Sequence, residues 1–273
     1  MSTPTIGIIG VGLIGGSIGL RCRELSWNVL GYDIDPQTAA LALECKAICE
    51  AIPRELIYER CDTIILAAHV QATMAEIERM EKVRPRAMLI LDVASVKVPI
   101  VRAAARLPRF VATHPMAGAE ISGPGAASGA LFSGKPWLYV PTDEAALNHR
   151  AVEFIGKLGA QPVPIEAAEH DAAVALTSHL PQMLATLFAG RLNESGVKKL
   201  APYCGPTARE LSRLSRSNVA MWREIFLANR KHVATELRGL AAELERTARA
   251  LDNSDAQGID ANFARGNELA AGA

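Results

Sequence analysis

Three groups of side chains in this 273-residue sequence have types and spacings suited to chemistry. The first is His114, followed by Pro115, in the stretch FVATHPMAGAEISG from Phe110 to Gly123. Proline keeps the residue before it out of the helical region, so His114 is expected extended, at the exit of a strand begun at Phe110. An imidazole there takes or gives a proton near neutral pH; the competing reading is a strand-end histidine bonded to a nearby carbonyl. The second is Ser95, in Asp92-Val-Ala-Ser95-Val-Lys97 at the exit of the strand Ala87 to Leu91. Ser95 either faces the same crevice as His114 or only caps the helix that follows from about Pro99, and Lys97 reads as solvating the surface. The third is a helical run from Ala167 holding His170, Asp171, Ser178, His179, Pro181 and Gln182. Ser178 and Gln182, four apart, share a face. His170 and His179, nine apart, fall about half a turn out of phase, so an unkinked helix cannot aim both at one ligand. Pro181 has no N–H for the carbonyl of Thr177 and is expected to kink the helix there. Further on, Arg213 carries a planar fork suited to a carboxylate.

These groups need a scaffold, and the start of the chain supplies its first piece. Ile6 to Ile9 is a short apolar run of parallel-strand type, followed at once by Gly10-Val-Gly12-Leu13-Ile14-Gly15 and an amphipathic helix to Leu25. Strand, GxGxxG and helix in that order form a dinucleotide fingerprint: Gly10 for the tight turn, Gly12 for close approach of a pyrophosphate, Gly15 for helix–strand packing. The pyrophosphate is expected at the helix N-terminus, bound by Gly10, Gly12, Leu13, Ile14 and Gly15. A second strand, Val29 to Tyr32, ends in Asp33, 18 residues past Gly15, where a carboxylate bonds both ribose hydroxyls and repels a 2′-phosphate. The other reading of Asp33, as N-cap of the helix starting at Pro36, suits Asp35 better.

Strands and helices alternate as far as Ile165. A strand Thr63 to Ala68, a helix Gln71 to Val83, the Ser95 and His114 strands, and strands Trp137 to Val140 and Gln161 to Ile165 around a helix Glu144 to Leu158 all read as one sheet. Residues 124–134, rich in small side chains, read as a mobile loop near the site. After Ala167 the pattern turns helical, with Val219 to Leu251 as one long helix and a frayed polar tail from Asn253. The expected fold is therefore α/β: an N-terminal Rossmann-like, doubly wound parallel sheet over residues 1–165, then an all-helical domain over 166–273. The high Leu/Ala content of the second half points to dimerisation through it.

Composition narrows the partners. Lys plus Arg and Asp plus Glu number 29 each, which gives no electrostatic footprint for nucleic acid or membrane. No signal segment opens the chain, and no apolar run reads as approaching the ~20 residues of a membrane span. The five cysteines show no CxxC or zinc-like spacing; they read as reduced thiols of a cytoplasmic protein with no metal site.

With these residues in view, the chain resembles the prephenate/arogenate dehydrogenases of tyrosine biosynthesis, from about Thr5 to Leu251. GVGLIGGS at Gly10–Ser17, DVASVK at Asp92–Lys97, HPMAGAExSG at His114–Gly123, SHLP at Ser178–Pro181 and the segment from Ser212 to Asn229 all look like family motifs. The resemblance implies NAD as cofactor, a small-molecule substrate, prephenate or arogenate, and a homodimer. It implies that His114 is the catalytic histidine at the substrate's ring hydroxyl and that Ser95 assists at that hydroxyl and at the nicotinamide. It further implies that His170 lines the site with Ser178 and His179, that Arg213 binds a substrate carboxylate, and that Trp222 comes from the partner subunit. The family often has SHLPH where this chain has Gln182, and commonly Asp where it has Glu210. A neutral amide at Gln182, where the substrate side chain is read, leaves arogenate at less disadvantage against prephenate. Two rival readings remain at this stage: another two-domain NAD(P)-dependent dehydrogenase of the 3-hydroxyacid or imine reductase type, and a non-enzymatic NAD-binding sensor.

Overall fold

The computed structural model describes residues 3–118, 121, 123–194 and 201–272; residues 119, 120 and 122 of the stretch around His114 lie outside these. The apolar run after Pro4 forms β1 (Thr5–Ile9), and the glycine turn leads into α1 (Leu13–Glu24). There follow β2 (Asn28–Tyr32), α2 (Pro36–Glu44), β3 (Glu50–Ala51), α3 (Arg54–Arg60), β4 (Thr63–Leu66), α4 (Val70–Val83), β5 (Leu89–Asp92), α5 (Val98–Ala103) and β6 (Phe110–Val111). The six strands pair in parallel in the order β3-β2-β1-β4-β5-β6. That order reverses direction between β1 and β4, and the crevice at the carboxyl ends of these strands is where such sheets bind ligands. Asp35 caps α2, its side chain accepting from the Gln37 N–H at 3.0 Å.

The remaining strands do not close this sheet, contrary to the sequence expectation. β7 (Thr113–Pro115) pairs antiparallel with β8 (Pro136–Tyr139), which pairs parallel with β9 (Gln161–Pro164) beyond α6 (Ala145–Lys157). One extended stretch thus leaves the first sheet after Val111 and joins a second at Thr113. The freed Thr113 N–H goes to the Asp92 carboxylate at 2.9 Å instead of a strand. Residues 124–134 are not a loose loop: the Ser128 N–H bonds the Ser17 hydroxyl on α1 at 3.0 Å, and Phe132 is fully buried.

From Ala167 onward the described residues form helices only: α7 (Ala167–Val174), a π turn (Ala175–His179), α8 (Leu180–Glu194), α9 (Pro206–Leu214), α10 (Val219–Ala228), α11 (Arg230–Asp252) and α12 (Ala256–Gly272). The expected long helix is two, divided at Asn229. The cause is that the Asn229 side chain turns inward to a partner 58 residues away rather than along the helix. The tail beyond Asn253 is helical as well, because α12 folds back on α11, with Asn262 donating to Thr247 at 3.0 Å and Arg265 to Glu243 at 3.1 Å. Residues 167–194 form one stretch long and apolar enough, by length and composition, to cross a bilayer, with a mean hydropathy of 1.3, which the sequence reading did not anticipate. In this fold the stretch is packed on one side: His170, Asp171, His179 and Gln182 are buried, while Leu176, Leu187 and Phe188 face outward.

Candidate active site

The glycine turn is shaped for a pyrophosphate. Gly10 has φ +94°, and a Cβ there would meet the Ala67 carbonyl oxygen at 2.5 Å; a Cβ at Gly15 would overlap the Gly10 oxygen. Gly12 has open space around it and begins α1 with no side-chain cap, so the first N–H groups of the helix, at Leu13 and Ile14, are left for an anion. Asp33 reaches over this turn. Its Oδ2 accepts from the Val11 N–H at 2.9 Å and its Oδ1 from Asp35 N–H at 3.0 Å, which fixes the carboxylate with lone pairs to spare for ribose hydroxyls. These residues fit a dinucleotide without a 2′-phosphate. Asp33→Ser is expected to narrow the affinity preference for NAD over NADP by about tenfold or more, since a hydrogen bond to a charged group is worth roughly 1.5–3 kcal/mol. A fluorescence titration of both nucleotides checks this; wild-type protein that binds NADP as tightly as NAD overturns it.

His114, on β7, is joined to the helical half by a chain of hydrogen bonds. Its Nδ1 lies 2.9 Å from His170 Nε2, and His170 Nδ1 lies 2.8 Å from Asp171 Oδ1. A carboxylate only accepts, so His170 carries its proton on Nδ1, its Nε2 accepts from His114 Nδ1–H, and His114 Nε2 is left as a bare lone pair. The network therefore selects the tautomer that a base requires. Burial holds the His114 pKa well below the usual 6.5, and the neighbouring His170, Lys97 and His179 push the same way. Burial would raise the Asp171 carboxyl; hydrogen bonds from His170, Lys97 N–H and Val98 N–H outweigh it and keep the group below 3.8.

Asp171 also resolves the question of Ser95. The N-terminus of α5 is capped not by Ser95 but by Asp171 from across the crevice, which accepts the backbone N–H of Lys97 at 2.6 Å and of Val98 at 2.9 Å. The Ser95 hydroxyl is half-buried and makes no hydrogen bond among the described residues, so it remains free for a ligand. The surface reading of Lys97 is corrected too. Its side chain is fully buried, bonded to Asp92 and to the Thr113 carbonyl. The carboxylate five residues earlier in the same turn is what makes this burial tolerable.

The kink expected at Pro181 appears as the π turn just before it, where the Leu180 N–H bonds the Ala175 carbonyl. A π turn absorbs about one residue, so the nine residues from His170 to His179 advance roughly 800° instead of 900°. The two side chains come within about 80° of each other, and both now bear on His114. His179 Nδ1 lies 3.2 Å from the Asn229 amide nitrogen, which also donates to the Asp171 carbonyl at 2.6 Å. Burial pushes the His179 pKa down to about 4. Trp222 meets His179 of its own chain edge-on, with ring centroids 6.0 Å apart, so its place beside the histidines needs no partner subunit.

The remaining expected residues lie along α8 and α9. The Gln182 amide is engaged at both ends: Nε2 donates to the Leu214 carbonyl at 2.9 Å, and Oε1 accepts from the Ser217 hydroxyl at 3.3 Å. Arg213, one residue before Leu214, forms an ion pair with Glu210, and no described contact joins it to His114. Ser178 is half-buried in the π turn, its hydroxyl without a hydrogen bond among the described residues. Asp171, Asn229 and Lys97 join this hydrogen-bond network although the sequence reading assigned none of them a role in it. Asp171 had a signal in its place directly after His170 at the start of a helix; Asn229 and Lys97 are recognisable only through partners distant in the fold.

Comparisons with known proteins place the chain among relatives. Residues 18–162 match the family description "Prephenate dehydrogenase, nucleotide-binding domain" and residues 166–265 "Prephenate dehydrogenase, dimerization domain". A probable prephenate dehydrogenase, NovF, of Streptomyces niveus is 38% identical over 249 residues, covering 87% of this chain; the chain spans 66% of that relative's length. A cyclohexadienyl dehydrogenase of Zymomonas mobilis is 27% identical, covering 92% of this chain and 89% of its own. Among solved structures, an arogenate dehydrogenase of Synechocystis superposes with a TM-score of 0.79 at 25% identity, over 97% of this chain and 98% of its own.

Proposed function

The chain belongs to the prephenate dehydrogenase family, and on that footing we propose that it oxidatively decarboxylates a cyclohexadienol, prephenate or arogenate, for tyrosine biosynthesis. The observation that carries this reading is the Asp171–His170–His114 chain, which ends in an unprotonated His114 Nε2 at the crevice. His114 takes the ring-hydroxyl proton as hydride leaves the same carbon; the ring carboxylate departs as carbon dioxide and the ring becomes aromatic. NAD, when bound on Gly10–Gly15 and Asp33, supplies the hydride acceptor. Ser95 assists at the ring hydroxyl and at the nicotinamide, the role the family resemblance implies. Arg213 holds a substrate carboxylate, exchanging its bond to Glu210 for one to the ligand. His170, Ser178, His179 and Trp222 wall the site and exclude water.

Family membership weighs against both rivals, since the matched regions together span most of the sheet and of the helical half. The outward Leu176, Leu187 and Phe188 supply an apolar face for a second copy, and the protein is read as a homodimer through its helical half. The five cysteines, all free, are in keeping with a cytoplasmic enzyme.

Substrate choice turns on Gln182. Its amide is neutral and held by α9 and the turn beyond, so it adds no cation to grip a keto-acid side chain. Arogenate is expected to be turned over at least comparably with prephenate. A steady-state comparison of the two substrates, reading 4-hydroxyphenylpyruvate and tyrosine, tests the whole reading. Turnover of neither sinks the function; brisk turnover of prephenate beside none of arogenate sinks only the role of Gln182.

A further inference from the structure

We propose that Lys97 is a positioning residue for His114: its buried ammonium, paired with Asp92, fixes the peptide from which His114 projects and places a positive charge against that peptide, so that the imidazole stays a proton acceptor. The proposal deepens the reading of His114 as base and rests on it.

The first support is the local geometry. Thr113, the residue before His114, lies where the chain passes from one sheet to the other. Its N–H donates to Asp92 Oδ1 at 2.9 Å, and its carbonyl accepts from Lys97 Nζ, which also donates to Asp92 Oδ2. The Thr113 hydroxyl donates to the Asp92 carbonyl and accepts from Trp137 Nε1 at 2.9 Å. The backbone entering His114 is thus held from both sides by one ion pair. The second support is that Lys97 also touches the far end of the proton chain, through its backbone N–H to Asp171 Oδ1. One residue is in contact with both the peptide that carries the base and the carboxylate that orients it.

The third support is the charge inventory around His114. From α7 comes His170, its Nε2 against His114 Nδ1 and its Nδ1 against Asp171. From the π turn comes His179, with a pKa of about 4 and therefore neutral at ordinary pH. From the loop after β5 comes Lys97, with Asp92 behind it. Asp92 accepts from the Ala94 N–H at 2.9 Å as well as from Thr113 and Lys97, an arrangement of donors that suits a carboxylate. Burial lowers the proton affinity of Lys97 and Asp92 opposes that loss. The fixed cation of the set is Lys97, and a proton arriving on His114 meets it in surroundings where water screens little.

A merely structural strut would also bury an ion pair here, so the test separates charge from support. Lys97→Gln with Asp92→Asn replaces the ion pair by two amides that can still bond each other and the Thr113 peptide, and it leaves no orphaned carboxylate. His114 is followed by histidine NMR titration in cofactor-free protein, and the acid limb of kcat by steady-state assay. The double variant is expected to raise the proton affinity of His114 about tenfold, moving the NMR midpoint and the acid limb up together by about one pH unit. Lys97→Arg, which keeps a cation paired with Asp92, is expected to produce no such rise. An NMR midpoint unchanged in the double variant, with any loss confined to thermal stability or to plateau kcat, overturns the proposal. Because the NMR midpoint needs no turnover, a failure of the enzymatic reading and a failure of this proposal give different results.

Discussion

His114→Asn is expected to lower turnover by roughly 10²–10⁴-fold, the usual span for a positioned general base. Asparagine keeps a hydrogen-bonding group of similar reach but takes up no proton. NAD affinity should stay near wild type, because the cofactor's supports, Gly10 to Gly15 and Asp33, lie in the turn from β1 into α1 and just after β2. The pH profile carries independent information. His114 must be neutral to act, and burial together with its neighbours holds its pKa well below 6.5. The wild-type kcat should therefore remain on its plateau through neutral pH and fall only on the acid side of 6.5, with one protonation. In His114→Asn that limb should vanish. A variant that retains nearly full turnover and the same acid limb would show that another group is the base.

Asp171→Ala is expected to damage both stability and turnover. The side chain is 2% exposed and satisfies the Lys97 and Val98 N–H groups and His170 Nδ1. Loss of a helix cap costs about 0.5–2 kcal/mol, and each buried donor left unpaired about 1–3 kcal/mol. Some of these donors will find water, so a loss of about 2–5 kcal/mol in unfolding free energy is the expected result, read by urea denaturation. The pH dependence has a definite sign. The folded-state pKa of Asp171 lies below its ordinary 3.8, so its contribution is fully present above that value and lost as the pH falls through the folded pKa. The gap between wild type and variant should narrow in acid. Turnover should fall too, since His170 loses the acceptor that fixes its tautomer. A variant as stable as wild type at neutral pH would refute the capping role.

What could be read from sequence was what local rules decide. The turn from Gly10 to Gly15, Asp33, the Asp35 cap and the alternation of strand and helix all depend on neighbours within a few residues. The division into two sheets did not show, because it depends on Thr113 exchanging a strand partner for the Asp92 carboxylate, 21 residues away. Lys97 was misread for a related reason: lysine is a surface residue by default, and its burial is decided by the pocket that Asp92 and the Thr113 carbonyl make together. The break at Asn229 follows from a bond to the Asp171 carbonyl, 58 residues distant, which no periodicity records. The π turn was half legible. Pro181 announced a disturbed helix, but not that the disturbance would be one extra residue that swings His179 toward His170.

The carboxylate that caps α5 belongs to the helical half, and this limits how such enzymes can be recombined. The sheet half by itself would leave two donors of α5 bare in the wall of the crevice. The helical half by itself would leave Asp171 with His170 and nothing to anchor it. The two halves are therefore not exchangeable cassettes. A hybrid that joins this sheet to a foreign set of helices inherits a working proton path only where the incoming sequence brings its own His-Asp pair at the register of His170 and Asp171. Over a lineage, substitutions in the turn from Asp92 to Val98 and in the first turn of α7 should be tolerated as a set and seldom singly.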